Sequence, residues 1–99
     1  MTDKNSLIEG LVNYINENGG DPSKWYTGIA TKAKVRLGQH NAMDSLWKYD
    51  TADSSDIARE VETHMIDVVG TQGGSGGGDD SSVKVYCYKI TQNTIEDTG

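Results

Sequence analysis

The stretch WYTGIATKAKVRLGQH, residues 25–40, decides the fold. Its first part is aromatic, β-branched or small, which predicts a strand over residues 25–31. The second part is rich in helix-forming residues and predicts a helix over residues 31–40. On that helix Arg36 and His40 are four positions apart, so both side chains lie on the same face.

The segments on either side of this stretch predict two further helices and two further strands. Hydrophobic residues recur at helical spacing over residues 6–18 and 54–69. A capping box that begins at Ser6 marks the start of the first of these helices. Alternating β-branched and aromatic residues predict strands over residues 46–51 and 83–90. Because helices and strands are mixed in this way, the expected fold class is α+β.

Length and composition predict one intracellular domain. Ninety-nine residues with 34% hydrophobic content suffice for a single domain with a thin core. Cys87 is the only cysteine, so no disulfide can form within the chain, which fits a reducing compartment. We find no pattern of a signal peptide or a membrane span, and we expect a cytoplasmic protein without a membrane partner. The polar residues 91–99 predict a disordered tail.

The charge of the chain is unevenly distributed. The net charge of −6 argues against the sequence-independent binding to DNA or anionic membranes that basic surfaces support. Residues 22–43, however, contain four cations and no acid. This segment predicts a local basic patch that can meet one phosphate, although four cations on a solvated helix and loop need no partner.

Several residues at fixed spacing link the chain to a known family. A Tyr-X-Gly strand ends at Gly28, Arg36 follows eight residues later, and His40 lies one helical turn further on. A strand and a helix with the pattern Ala-X-X-X-Glu, ending at Glu62, come next. Over residues 25–66 the chain therefore resembles the second half of the GIY-YIG nuclease signature. The resemblance implies a small sheet flanked by helices and a metal-dependent cleavage of phosphodiester bonds in nucleic acid.

The first strand of that signature has no counterpart at the expected place. Where the family has Gly-Ile-Tyr on a strand, residues 10–12 are Gly-Leu-Val within a predicted helix. We hypothesise that the strand over residues 83–90 lies beside the Tyr-X-Gly strand, with the glycine-rich segment 70–82 as the connection. The domain would then be a circularly permuted, three-stranded and mainly antiparallel version of the family fold. Either Tyr86 or Tyr88 would replace the tyrosine of the missing strand.

The resemblance implies a role for each matching residue. Glu62 would hold one Mg²⁺ or Mn²⁺ ion, and such an ion needs few protein ligands when a phosphate also binds it. Arg36 would bind the phosphate through parallel hydrogen bonds, and His40 would relay a proton. The full expected set comprises the catalytic residues Tyr26, Arg36, His40 and Tyr86, the phosphate-binding residues Gly28 and Lys34, and the metal ligand Glu62.

Each of these residues also has a purely structural interpretation. Glu62 at the edge of its helix's apolar stripe would reach water or pair with Arg59. Arg36 would be an ordinary surface arginine, and His40 would cap a helix. The tyrosines would pack, half-buried, on the sheet.

The sequence therefore leaves three functions open. The first is a metal-dependent endonuclease of the GIY-YIG type. The second is a catalytically inactive module that binds nucleic acid, a nucleotide or a protein partner. The third is a structural interaction module with Trp25 and Trp47 as anchors. The glycine-rich segment would be a flexible connector or, alternatively, a cradle for a phosphate.

Overall fold

The computed structural model describes residues 3–73 and 82–95, which form three α-helices and one three-stranded antiparallel sheet. The predicted α+β class is confirmed. In chain order the elements are α1 (Lys4–Glu17), a 3₁₀ turn (Pro22–Lys24), β1 (Trp25–Ala30), α2 (Ala33–Gln39), β2 (Trp47–Thr51), α3 (Ser55–His64), a π-helical continuation of α3 (Met65–Val69) and β3 (Lys84–Lys89).

The last strand of the chain is the central strand of the sheet. The strand order is β1-β3-β2, and β3 pairs antiparallel with both neighbours. The predicted position of the C-terminal strand beside residues 25–30 is therefore confirmed. In this register Tyr86 lies between Gly28 on one side and Tyr49 on the other.

Each face of the sheet carries a different layer of helix. Side chains on one face pack with α1 and α3, and the buried members of this layer include Leu7, Leu11, Ile15, Trp25, Ile29, Val61, Met65, Val85 and Cys87. Side chains on the other face pack with α2, and this layer comprises Ala30, Ala33, Leu37, Ala42, Tyr86 and Tyr88. Alternation along β1 and β3 produces both layers, because successive strand residues face opposite ways.

The observed helix starts agree only partly with those predicted from the sequence. Ser54 caps α3 as a residue of its type should, and its hydroxyl accepts a hydrogen bond from the Ile57 amide at 3.2 Å. The predicted capping box at Ser6 is wrong. The Asp3 carboxylate instead accepts from the Ser6 amide at 2.7 Å, so α1 begins one residue after Asp3. Asp3 thereby satisfies the Ser6 amide, whereas a capping box at Ser6 would have satisfied the Glu9 amide, and α1 is longer as a result.

The outer edge of β1 is covered by the segment that follows α3. After Gly70, whose φ of 101° ends the helix, Gln72 runs parallel to β1. The Thr27 amide donates to the Gln72 carbonyl at 2.9 Å, and the Gln72 amide donates to the Trp25 carbonyl at 2.7 Å. The remainder of the predicted glycine-rich connection, residues 74–81, lies outside the described residues, as do residues 96–99 of the predicted tail.

We expect Gly28→Ala to destabilise the domain by about 1–3 kcal/mol, because the added methyl overpacks a filled position. A Cβ at residue 28 would lie 2.5 Å from the Tyr86 hydroxyl oxygen and 2.6 Å from Cζ. The Tyr86 ring is 1% exposed and cannot swing into solvent. Urea unfolding measures the difference.

Gly38→Ala is the matched control, because a Cβ at that position of α2 meets nothing within 4 Å. Alanine favours a helix over glycine, so this variant should be as stable as the parent or up to about 1 kcal/mol more stable. Equal effects of the two substitutions would contradict the close approach of Tyr86 to β1.

Candidate functional site

The site is built around the hydroxyl of Tyr86, on the face of the sheet that α2 covers. Tyr86 stands opposite Gly28 in the β1–β3 register. Since glycine has no side chain, the phenol ring lies directly over β1 and its hydroxyl comes close to the Gly28 backbone. The predicted Gly28 thus has a clear spatial role, which is to make room for this tyrosine.

Arg36 of α2 and His40, the C-cap residue of this helix, meet the Tyr86 hydroxyl. His40 Nε2 lies 3.0 Å from the hydroxyl oxygen, and the Arg36 side chain also hydrogen-bonds to Tyr86. Arg36 makes a second hydrogen bond, from Nη1 to the Gln39 side-chain oxygen at 2.6 Å. The one-turn spacing of Arg36 and His40 in the sequence therefore brings a guanidinium and an imidazole to one hydroxyl.

Two further tyrosines enclose the imidazole. The Tyr26 and Tyr88 rings stack with their centroids 5.3 Å apart. The His40 ring lies 4.9 Å from Tyr26 and 5.2 Å from Tyr88, and His40 has no exposed surface. Aromatic contacts of this kind fix a ring and exclude water from it. Of the two candidate tyrosines on β3, Tyr86 hydrogen-bonds to Arg36 and His40, and Tyr88 makes ring contacts with Tyr26 and His40.

The electrostatics of Tyr86 place four predicted residues in one neighbourhood. Burial raises the pKa of Tyr86 to about 12, the Arg36 charge and hydrogen bond oppose the rise, and Tyr26 and Glu62 add to it. Charges act on one another in this way only over short distances through a protein. Arg36, Tyr26 and Glu62 come from three different elements, and all act on the same hydroxyl.

Glu62 is a buried carboxyl on α3, one turn before the π-helical segment. It is 4% exposed, and burial raises its pKa to about 7, with a smaller opposing effect of the Arg59 charge. No hydrogen bond or ion pair between described residues involves this carboxylate, and among those residues no fully buried side-chain oxygen or nitrogen lacks a hydrogen-bond partner. The Arg59 charge lowers the pKa of Glu62, as the alternative of an ion pair with Arg59 would, but burial outweighs it.

A divalent cation fits the properties of Glu62. A carboxylate that is mostly buried is costly to ionise, and a bound cation would compensate its charge. Within residues 3–73 and 82–95 there is no group of three or more His, Cys, Asp or Glu side chains arranged to hold a metal. A single protein carboxylate is nevertheless compatible with Mg²⁺, which keeps several waters and takes further ligands from a phosphate.

One predicted residue stands apart from this cluster, and one contributing atom was not predicted. Lys34 is exposed on α2, and no contact of the described residues joins it to Tyr86 or His40. The unpredicted atom is the Ile95 carbonyl oxygen, which lies 2.5 Å from His40 Nδ1. Because this is a backbone atom in a polar segment, no side-chain pattern could have indicated it.

The chain matches no protein-family model, no curated protein and no solved structure. Among the described residues, no helix has both the length and the hydropathy needed to cross a bilayer. The GIY-YIG resemblance therefore stays a prediction from the sequence.

We expect the free energy of unfolding to fall as the pH rises from about 4.5 to about 7, because of Glu62. Between its ordinary pKa of 4.5 and its folded value of about 7, the folded chain keeps a proton that the unfolded chain releases. Stability is therefore lost over this window and is level above it, with an upper limit of about 3 kcal/mol. Urea unfolding from pH 5 to 8 measures it.

Glu62→Gln should remove this contribution and be more stable than the parent at pH 8 by roughly 1–3 kcal/mol. Glu60→Gln, at an exposed position two residues away, is the matched control and should leave the pH dependence unchanged. If the free energy of unfolding depended on pH in the same way in the parent and in Glu62→Gln, Glu62 would be a solvated carboxylate.

Proposed function

We propose that this domain hydrolyses phosphodiester bonds of nucleic acid with the help of one Mg²⁺ or Mn²⁺ ion, as an endonuclease of the GIY-YIG type. The observation that carries the proposal is the convergence on the Tyr86 hydroxyl. A guanidinium from α2 and an imidazole from the end of α2 hydrogen-bond to it, and the charge of a buried carboxyl on α3 raises its pKa. Hydrolysis of a phosphodiester needs a base, a cationic group for the phosphate and stabilisation of the leaving oxygen.

In the proposed reaction Tyr86 is the general base. The hydroxyl passes its proton to His40 Nε2, which is 3.0 Å away. The resulting phenolate takes a proton from a water molecule as the water oxygen forms its bond to phosphorus. The phosphorus–oxygen bond to the leaving group breaks, the leaving oxygen takes up one proton from the solvent, and His40 releases the proton that it accepted to the solvent. The proton count therefore balances, with tyrosine and histidine restored at the end.

Arg36 has two functions in this scheme. Its hydrogen bond and charge favour the phenolate form of Tyr86, in opposition to the effect of burial. A guanidinium can also bind two oxygens of a phosphate at the same time and stays charged at any working pH. A cation bound at Glu62 would neutralise charge that develops on the phosphate and on the leaving oxygen.

A groove next to Arg36 gives room for a nucleic-acid strand. It has a volume of about 400 Å³ and lies between the end of β1 and the exposed face of α2. Ile29 and Val35 supply apolar walls, and Lys32 and Arg36 supply cations. Bases pack on apolar walls and phosphates pair with cations, which is the chemistry of single-stranded nucleic acid. Since residues 22–43 contain no acid, repulsion of phosphates is low at this place in spite of the negative net charge.

A catalytically inactive binding module is the second candidate function, and the pKa of Tyr86 favours it. With a pKa of about 12, the hydroxyl is protonated at neutral pH in the protein alone. Such a hydroxyl, together with Arg36, would bind a phosphate without attacking it. Only an ionised or ionisable Tyr86 supports the nuclease, so an activity assay separates the two functions.

In a cleavage assay we expect the parent chain to cut labelled single- or double-stranded nucleic acid with Mg²⁺ or Mn²⁺, and EDTA to stop it. Arg36→Ala and Glu62→Gln should each lower the rate by at least about 100-fold, the usual effect of losing one preorganised charge at a reacting phosphate. Tyr86→Phe should do the same, because it removes the base but keeps the ring.

Glu60→Gln is the control for this series and should cut at the parent rate. Activity that survives all three site variants would indicate a contaminant or another site and would overturn the proposal. Binding without cleavage by the parent, lost in Arg36→Ala, would favour the inactive module instead.

For the groove, we expect Val35→Asp to weaken the binding of a short single-stranded oligonucleotide about tenfold, because it places a negative charge between Lys32 and Arg36. Val68→Asp is the matched control, since Val35 and Val68 are both exposed, at 54% and 69%, and Val68 lies on the π-helical segment away from the groove. Fluorescence anisotropy measures both. Equal weakening in the two variants would mean that only net charge matters.

A further inference from the structure

Residues 91–95 form a hydrogen-bonded turn on the end of α2. The Ile95 amide donates to the His40 carbonyl at 2.6 Å, and the Asn41 side-chain amide donates to the Asn93 carbonyl at 2.8 Å. Thr94 closes the turn, because its hydroxyl accepts from the Thr91 amide at 3.0 Å and donates to the Thr91 carbonyl at 3.0 Å. Thr94 is 8% exposed, so this turn is packed onto the domain.

The hydrogen bonds of this turn determine which nitrogen of His40 carries the proton. A backbone carbonyl can only accept, so the contact of 2.5 Å between Nδ1 and the Ile95 oxygen requires a proton on Nδ1. In a neutral imidazole Nε2 is then the acceptor, and the Tyr86 hydroxyl must donate to it across 3.0 Å. The guanidinium of Arg36 can only donate hydrogen bonds, so in its bond to Tyr86 the phenol oxygen is the acceptor.

One direction of proton donation therefore runs through the whole cluster. Arg36 donates to the Tyr86 oxygen, Tyr86 donates to His40 Nε2, and His40 Nδ1 donates to the Ile95 carbonyl. If Tyr86 gives its proton to Nε2, the imidazolium keeps its hydrogen bond to Ile95 and the phenolate keeps the one from Arg36. No side chain has to move for the transfer, so the two states differ by one proton position.

We propose that the turn over residues 91–95 is a positioning element that holds His40 in the Nδ1–H tautomer, so that Nε2 can accept the proton of Tyr86. The orienting group is the Ile95 carbonyl, which plays the part that a carboxylate plays for the histidine of many hydrolases. Tyr26 and Tyr88 hold the ring plane, while Ile95 decides the tautomer. The catalytic consequence of this inference depends on the proposed nuclease function, but the tautomer is a property of the protein without substrate.

Nitrogen-15 NMR of the imidazole rings tests the proposal without any nucleic acid. The chain has only two histidines, so His64→Gln assigns the spectrum. We expect the parent to have a protonated Nδ1 and a bare Nε2 at His40. Thr94→Ser keeps the hydroxyl that closes the turn and should preserve this pattern, whereas Thr94→Ala removes it and should give a mixture of tautomers.

A chain that ends at Gln92 lacks Ile95 and should lose the preference of His40 for the Nδ1–H tautomer entirely. If the parent cuts nucleic acid, the shortened chain should cut about 10²–10⁴-fold more slowly, because a histidine in the wrong tautomer cannot accept the proton of Tyr86. Circular dichroism shows whether the shortened chain folds. If it does not fold, the difference in the His40 tautomer between Thr94→Ala and Thr94→Ser is the test of the proposal. A proton on Nε2 of the parent overturns the proposal, and so does an unchanged tautomer in Thr94→Ala and in the shortened chain. A parent with the expected tautomer but no cleavage overturns the nuclease function and leaves the positioning role supported.

Discussion

The pairing of β1 with β3 is the constraint on which the site depends. It sets Gly28 opposite Tyr86, and the missing Cβ of the glycine lets a phenol lie over the neighbouring strand. A shift of the register by one residue would turn Tyr86 to the face covered by α1 and α3 and would bring Val85 or Cys87 to α2. Arg36 and His40 would then have no hydroxyl to meet. The register of the sheet therefore determines where the Tyr86 hydroxyl lies as well as which residues form the core.

Two ionisable groups at this site are buried, and one of them, Glu62, opposes the stability of this small domain at neutral pH. Burial disfavours the charged forms of Glu62 and Tyr86, and the Glu62 charge makes Tyr86 still harder to ionise. The Arg36 charge lowers the pKa of Tyr86, and the Arg59 charge lowers that of Glu62. The effect of Arg59 is smaller than that of burial, so the pKa of Glu62 is about 7. A folded chain of this size has few kcal/mol to spare. Side chains that destabilise the free protein are characteristic of sites that bind a charged ligand.

Most of the fold could be predicted from local patterns, while only part of the site could. Helical and strand periodicity predicted the elements to within a few residues, and the spacing of Arg36 and His40 placed both on one face of α2. The start of α1 was predicted wrongly because Asp3 and Ser6 are both good capping residues, and the choice between them depends on where the helix packs. The hydrogen bond from His40 to Ile95 was beyond prediction, since any residue type can offer a carbonyl.

The order of the strands along the chain matters less for such a site than their order in the sheet. The hydrogen bonds of a β-ladder depend on which backbones lie side by side, and the Tyr86 hydroxyl meets Arg36 and His40 whether its strand comes first or last in the sequence. A change of chain order alters the connections, and the entropy of closing a loop grows only slowly with its length, by roughly 0.6 kcal/mol for each doubling. The long connection from α3 to β3 therefore costs little, while it frees the chain beyond β3 to continue over α2. That continuation carries Ile95 to His40, so the segment that follows β3 gives this imidazole an orienting carbonyl.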